Sequence, residues 1–252
     1  MTSDVFDALA QEYEALEAVL GSLDSSQWQM PSLCEGWTVA DVVLHLAQTE
    51  EGLVSSLGAA RAGEGFREAG ARRGLDTVDA VAESLIVGEA AVGWTERFDR
   101  WKAARRTAYE GLRATDPKRL LTWATNPLKP RTLATTRLSE HWIHANDITQ
   151  PLGIDYPDTD RMWHIARLAH RTIPYAYRRA GLGDTPTVRV ELASPGDDDT
   201  WVFGGEADVV ITGTASEFCR IAARRLDPAL AGTVVASGAK GAEVLSLVRT
   251  YA

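Results

Sequence analysis

Apolar residues recur at spacings of three and four through most of the chain, then give way near its end to short alternating runs. Residues 4–23 carry Phe6, Leu9, Tyr13, Leu16, Val19, Leu20 and Leu23 with acids between them, which predicts an amphipathic helix. The segment SSQWQMPSLCEGW follows, and its Pro31 and Gly36 predict a loop. A second helix is expected from Thr38, which can cap it, with Asp41 favourable in its first turn. Its apolar stripe is Val39, Val42, Val43, Leu46 and Leu53, and His45 lies beside that stripe. Residues 58–75 are rich in Gly, Ala and Arg without periodicity, and read as a mobile loop.

Helical spacing returns at 77–91 and again at 94–114, where Trp94, Phe98, Trp101, Ala108 and Leu112 form one side. Asp116-Pro117 stops that helix, and the pairs Asn126-Pro127 and Lys129-Pro130 mark a loop before another helix at 132–149. PLGIDYPDTD, at 151–160, is the best candidate boundary, and one more helix is expected at 158–180. The runs VRVELAS, TWVFG and DVVITG then have the alternation of short strands. Residues 216–226 and 239–248 read as helices, with GTVVASG between them as a strand. The expected fold class is α+β, a four-helix bundle over 1–155 followed by a small α+β domain over 156–252 with a leading connector helix.

Composition narrows the chemistry. A length of 252 residues with 45% hydrophobic content suffices for one large or two smaller domains. No stretch approaches the roughly 20 apolar residues a membrane span needs. The N-terminus is acidic and amphipathic rather than signal-like, so the expectation is a cytoplasmic protein. The net charge of −9 argues against a nucleic-acid surface. Cys34 and Cys219 form no CxxC motif, so neither a cysteine zinc site nor a disulfide framework is expected.

The candidate chemistry lies in VADVVLHLA and TTRLSEHWIHANDI. On a helix, Glu140 and His144 share one face at i, i+4. With His45 from a neighbouring helix they would make two imidazoles and one carboxylate, the ligand count of a catalytic metal site with an open position. The bland alternatives are an ordinary Glu–His surface pair and a core histidine. His141 is a rival ligand that spacing cannot set aside. Asp147 is placed to accept the second ring N–H of His144, or is a solvated acid at the helix end. Arg137 either holds a substrate carboxylate or pairs with Glu140.

Cys34 has no base visible nearby in sequence and reads as a packed thiol. Trp28, Trp37, Trp123 and Trp142 line a pocket or fill the core. His164 and His170 have no convincing partner set.

PSLCEGWTVADVVLHLA, and then TTRLSEHWIHANDI with its arginine, glutamate, histidine and aspartate at helical spacings, resemble the DinB-like superfamily. More narrowly, they resemble its mycothiol-dependent maleylpyruvate isomerase branch. The C-terminal strands and GTASEFCRIAARRLDP look like the small sterol-carrier-protein-like domain of that branch. The resemblance implies His45, Glu140 and His144 as ligands of a divalent metal, usually zinc. It also implies mycothiol, the low-molecular-weight thiol of actinobacteria, as cosubstrate.

The function expected is attack of a metal-activated thiol on a small electrophile, as S-transfer or cis–trans isomerisation, with Arg137 as a catalytic candidate. Arg220, Arg224 and Arg225 are further candidates for anionic groups, by location only. The rival readings are a hydrolase on the same ligands, a non-haem iron oxygenase, and a non-enzymatic binder of lipids or small molecules. A small electrophilic substrate, and a monomer or homodimer, complete the expectation.

Overall fold

The structure, a computed structural model, describes residues 3–59, 70, 74–75, 77–124, 126–196 and 199–250. The loop expected at 58–75 falls for the most part outside them. The chain folds as two compact units, one from Phe6 to Tyr156 and the other from Pro157 onward with the chain's first few residues.

The first unit is built on four long helices, α1 (Val5–Ser22), α2 (Val39–Gly58), α4 (Trp94–Ala114) and α5 (Pro130–Leu152), with the short α3 (Val78–Gly88). The three-and-four spacing of α1 buries Leu9, Tyr13, Leu16 and Leu20. Thr38 and Asp41 close a reciprocal capping box at the start of α2. The Thr38 hydroxyl accepts from the Asp41 N–H at 3.2 Å, and the Asp41 carboxylate accepts from the Thr38 N–H at 2.9 Å. Helix α2 packs most extensively on α4.

Helix α5 runs past its expected span of 132–149 because both of its prolines are accommodated. Pro130 occupies the first turn, where a missing N–H costs nothing. Pro151 sits inside the last turn, and Gly153 ends the helix in the left-handed region at φ 65°. A proline cannot donate to the carbonyl four residues back. Here that carbonyl belongs to Asp147, and it accepts instead from the Leu33 N–H at 3.0 Å. The loop before α2 is thereby fastened to the end of α5.

The second unit carries α6 (Met162–Arg179), a four-stranded sheet, α7 (Ala215–Ala222) and α8 (Gly241–Leu247). The strands are β1 (Val188–Ala193), β2 (Thr200–Phe203), β3 (Val209–Thr214) and β4 (Val235–Ser237), in the order β2-β1-β3-β4. β1 runs antiparallel to β2, with Leu192 opposite Trp201, and parallel to β3, with Val190 opposite Ile211; β4 closes antiparallel on β3. Alternation buries Val188, Val190 and Leu192 on the face that α6 and α7 cover. The fold is α+β, as the patterning predicts.

Candidate metal centre

Helix α2 holds His45 between Leu44 and Leu46, both wholly buried, so the backbone beneath the imidazole is fixed by core packing. Across from it, α5 presents Glu140 and His144 one turn apart. His45 Nε2 lies 3.1 Å from Glu140 Oε1, and His144 Nε2 lies 3.6 Å from the same oxygen. The donor atoms of all three residues fall within 4.8 Å of one another. Ligands about 2.0–2.2 Å from a tetrahedral ion sit roughly 3.3 Å apart, so this donor set fits a divalent metal of zinc's class. Glu140 keeps 26% of its side-chain surface and His45 12%, which leaves the cluster open to solvent on one side.

The electrostatics favour ligation. Burial alone would raise the Glu140 pKa, but hydrogen bonds from His144 and His45 and the charge of Arg137 hold it well below the usual carboxylate range. Burial pushes His45 down, against the pull of Glu140, and so keeps its imidazole neutral at neutral pH. Burial also disfavours charge on His144, yet Asp147, Cys34 and Glu140 raise its pKa well above the ordinary value.

Asp147 is fully buried and its Oδ2 accepts the His144 Nδ1–H at 2.9 Å, which directs Nε2 toward Glu140 and His45. Trp37 flanks His45 with ring centres 5.3 Å apart, and its indole N–H donates to Glu83 on α3 at 2.7 Å.

His141, the rival ligand, is turned elsewhere. Its Nε2 accepts from the Trp101 indole N–H at 3.0 Å, and its Nδ1–H donates to the Arg137 carbonyl at 2.8 Å. Indole nitrogen only donates, so the ring is a fixed neutral tautomer with both nitrogens used. Burial, then the nearby Arg137 charge, pushes its pKa well down.

Arg137 lies behind the cluster, wholly buried, rather than at an accessible anion site. Its Nε donates to Glu50 Oε1 at 3.0 Å and its Nη2 to the Thr49 hydroxyl at 2.8 Å, and Trp123 lies over its guanidinium at 5.3 Å. Glu50, which spacing did not single out, also accepts from the Tyr13 hydroxyl at 2.7 Å. Its only sequence signal is its register, four residues after Leu46 and three before Leu53 on the buried stripe of α2.

Cys34 overturns the expectation of a thiol without a neighbouring base. It is half-buried, with Sγ 3.2 Å from Asp147 Oδ2 and 3.7 Å from His144 Nδ1. Trp28 and Trp142 are core residues. In the second unit, Arg220 pairs with Asp158 at 2.8 Å, while Arg224 donates to the Ser246 carbonyl at 2.8 Å and Arg225 to that of Ala223 at 3.4 Å. His164 and His170 bond the carbonyls of Ser3 and Val188. Cys219 is fully buried, which pushes its thiol pKa up.

The family model described as "Mycothiol maleylpyruvate isomerase N-terminal domain" matches residues 9–149, a span that contains the whole cluster. Uncharacterized proteins of two Mycobacterium tuberculosis strains, CDC 1551 / Oshkosh and H37Rv, are each 34% identical over 224 residues, covering 86% of this chain and 83% of theirs. The crystal structure of the mycothiol-dependent maleylpyruvate isomerase superposes with a TM-score of 0.60 at 16% identity, covering 94% of this chain and 92% of that one. A histidine-to-alanine mutant of that isomerase gives 0.59. At such identity the two structures establish a shared fold.

Proposed function

This chain belongs to the mycothiol maleylpyruvate isomerase N-terminal domain family, and on that premise we propose that it is a metal-dependent enzyme using a low-molecular-weight thiol, of mycothiol's kind, against a small electrophile. The observation that carries the reading is the convergence of His45, Glu140 and His144 at one solvent-facing point, with Asp147 behind His144. Those three residues would hold the ion. A divalent metal of zinc's class, when bound, stabilises a coordinated thiol as its anion and so supplies a nucleophile at neutral pH.

The chain's own residues do the rest. Asp147 keeps the His144 proton on Nδ1 and leaves Nε2 as the ligand atom. His45 contributes as a neutral imidazole and Glu140 as a carboxylate, whose charge Arg137 favours from behind. Arg137 thus acts as a positioning residue, without contact to substrate. Trp37 forms an apolar wall beside His45 that limits water at the open side.

The reaction is either isomerisation or S-transfer. In the first, the thiol sulfur adds to an activated cis double bond, the new single bond rotates, and the same sulfur leaves. In the second, the carbon–sulfur bond is kept.

The test is a turnover assay with zinc-loaded protein, a panel of thiols including mycothiol, and electrophiles including maleylpyruvate. Turnover should require the thiol and disappear in Glu140→Ala. Thiol consumed in proportion to product identifies S-transfer, and thiol recovered intact identifies isomerisation. Equal turnover without any thiol would contradict the proposal and favour a hydrolase on the same ligands.

A further inference from the structure

We infer that Cys34 is a positioning residue of the metal centre, acting through Asp147 to fix the ligand nitrogen of His144; the inference rests on the metal reading above. Two donors meet on one buried carboxylate oxygen. The Cys34 thiol donates to Asp147 Oδ2 at 3.2 Å and the His144 Nδ1–H to the same atom at 2.9 Å, while Asp147 itself is 0% exposed. A buried carboxylate oxygen settles where its donors hold it. The thiol therefore sets the point toward which the imidazole turns, and so the direction of Nε2. Residues that hold a ligand's outer nitrogen commonly change metal affinity by about 10–100-fold when removed.

The backbone around Cys34 is built to deliver that contact. Pro151 withholds a helical N–H from the Asp147 carbonyl, and the Leu33 N–H takes its place at 3.0 Å. One residue later, the Ser32 hydroxyl accepts from the Cys34 N–H at 3.1 Å. The Cys34 carbonyl accepts from the Trp37 N–H at 3.0 Å, closing a turn in which Gly36 takes φ 79°. That turn places Cys34 behind His144 and Trp37 against His45, so one loop touches both histidines from outside the cluster. Asp147 is held at its main chain by Leu33 and at its side chain by Cys34.

Cys34, His144 Nδ1 and Asp147 also form a trio whose donor atoms lie within 4.8 Å of one another. Direct ligation by the thiol is therefore the rival that the experiment has to separate.

The experiment is titration of the metal-free full chain with Co²⁺, read by its visible spectrum and by competition with a chromogenic chelator. It uses wild type, Cys34→Ala, Cys34→Ser and His144→Ala, each with a thermal melt. Serine keeps an O–H donor and alanine does not. We expect one equivalent of Co²⁺ in the wild type, roughly tenfold weaker binding with an altered visible spectrum in Cys34→Ala, and recovery of most of both in Cys34→Ser.

Wild-type affinity and spectrum in Cys34→Ala would overturn the inference while leaving the metal reading intact. So would a serine variant that folds normally yet binds as weakly as alanine. A second equivalent with sulfur-to-cobalt charge transfer, lost in Cys34→Ala, would make Cys34 a ligand and also overturn it. No Co²⁺ bound by the wild type would sink the metal reading itself.

Discussion

His141 and His144 stand three residues apart on one helix, and their partners divide their roles. His141 spends both ring nitrogens on Trp101 and the Arg137 carbonyl, whereas His144 gives Nδ1 to Asp147 and turns Nε2 to Glu140. Replacing His141 with Phe should therefore leave metal stoichiometry unchanged. It should lower stability by about 1–3 kcal/mol, because the buried Trp101 N–H loses its acceptor. Metal analysis and a urea melt of the variant check both halves, and loss of metal with the fold intact would return His141 to the ligand set. Spacing alone put Glu140 and His144 on one face, since i, i+4 geometry is local. It could not choose between Glu140 and His141, because the deciding partner, Trp101, comes from another helix 40 residues away. Cys34 was hidden for the same reason. Its partners lie 110 and 113 residues along the chain.

At the scale of elements, α2 and α5 are joined behind the candidate metal centre by the wholly buried pair Glu50 and Arg137. Removing one member strands a charge in the core, so Arg137→Met should cost about 3–5 kcal/mol. In the double variant with Glu50→Gln, which keeps an acceptor for the Tyr13 hydroxyl, most of that loss should return. Urea unfolding of both single variants and the double gives the coupling directly. Additive losses would show that the pair is not the link between the helices. The helices themselves were legible because an apolar stripe repeats over several turns. Their ends were less so: α5 starts and stops beyond its expected span because the prolines at 130 and 151 sit where a missing N–H is harmless or is replaced by a tertiary contact. A proline read as punctuation is here a means of docking a loop.

For the whole molecule, the change of texture after the helix expected at 158–180 coincides with a change of architecture, from helices to a mixed sheet with helical cover, because strand and helix periods differ. The order of the strands was not legible. Alternation names the buried face of β1 but not that β3 pairs with it in parallel. Among the described residues, no helix is long and apolar enough to cross a membrane.

In the second unit Glu217 accepts from the backbone N–H groups of Gly232, Thr233 and Val234 and from the Thr233 hydroxyl. The hydroxyl bond first, and then the backbone bonds, outweigh burial and hold its pKa down at about 2, against 4.5 unperturbed. A carboxyl whose folded pKa is depressed stabilises the protein above its unfolded pKa and loses that contribution as pH falls through the folded one. Glu217→Gln should therefore lower the melting temperature at pH 7, and the gap from wild type should close between about 4.5 and about 2. A gap that persists unchanged through that window would show that charge on Glu217 is not what ties α7 to the segment before β4.

Metal binding by His45, Glu140 and His144 is tested by elemental analysis of purified protein by mass spectrometry, with wild type beside His144→Ala and Glu140→Ala. Close to one divalent ion per chain is expected in the wild type, after zinc reconstitution if necessary, and its loss in both variants while their circular dichroism stays native. A wild type that holds no metal after reconstitution, or variants that hold as much as the wild type, would contradict that assignment.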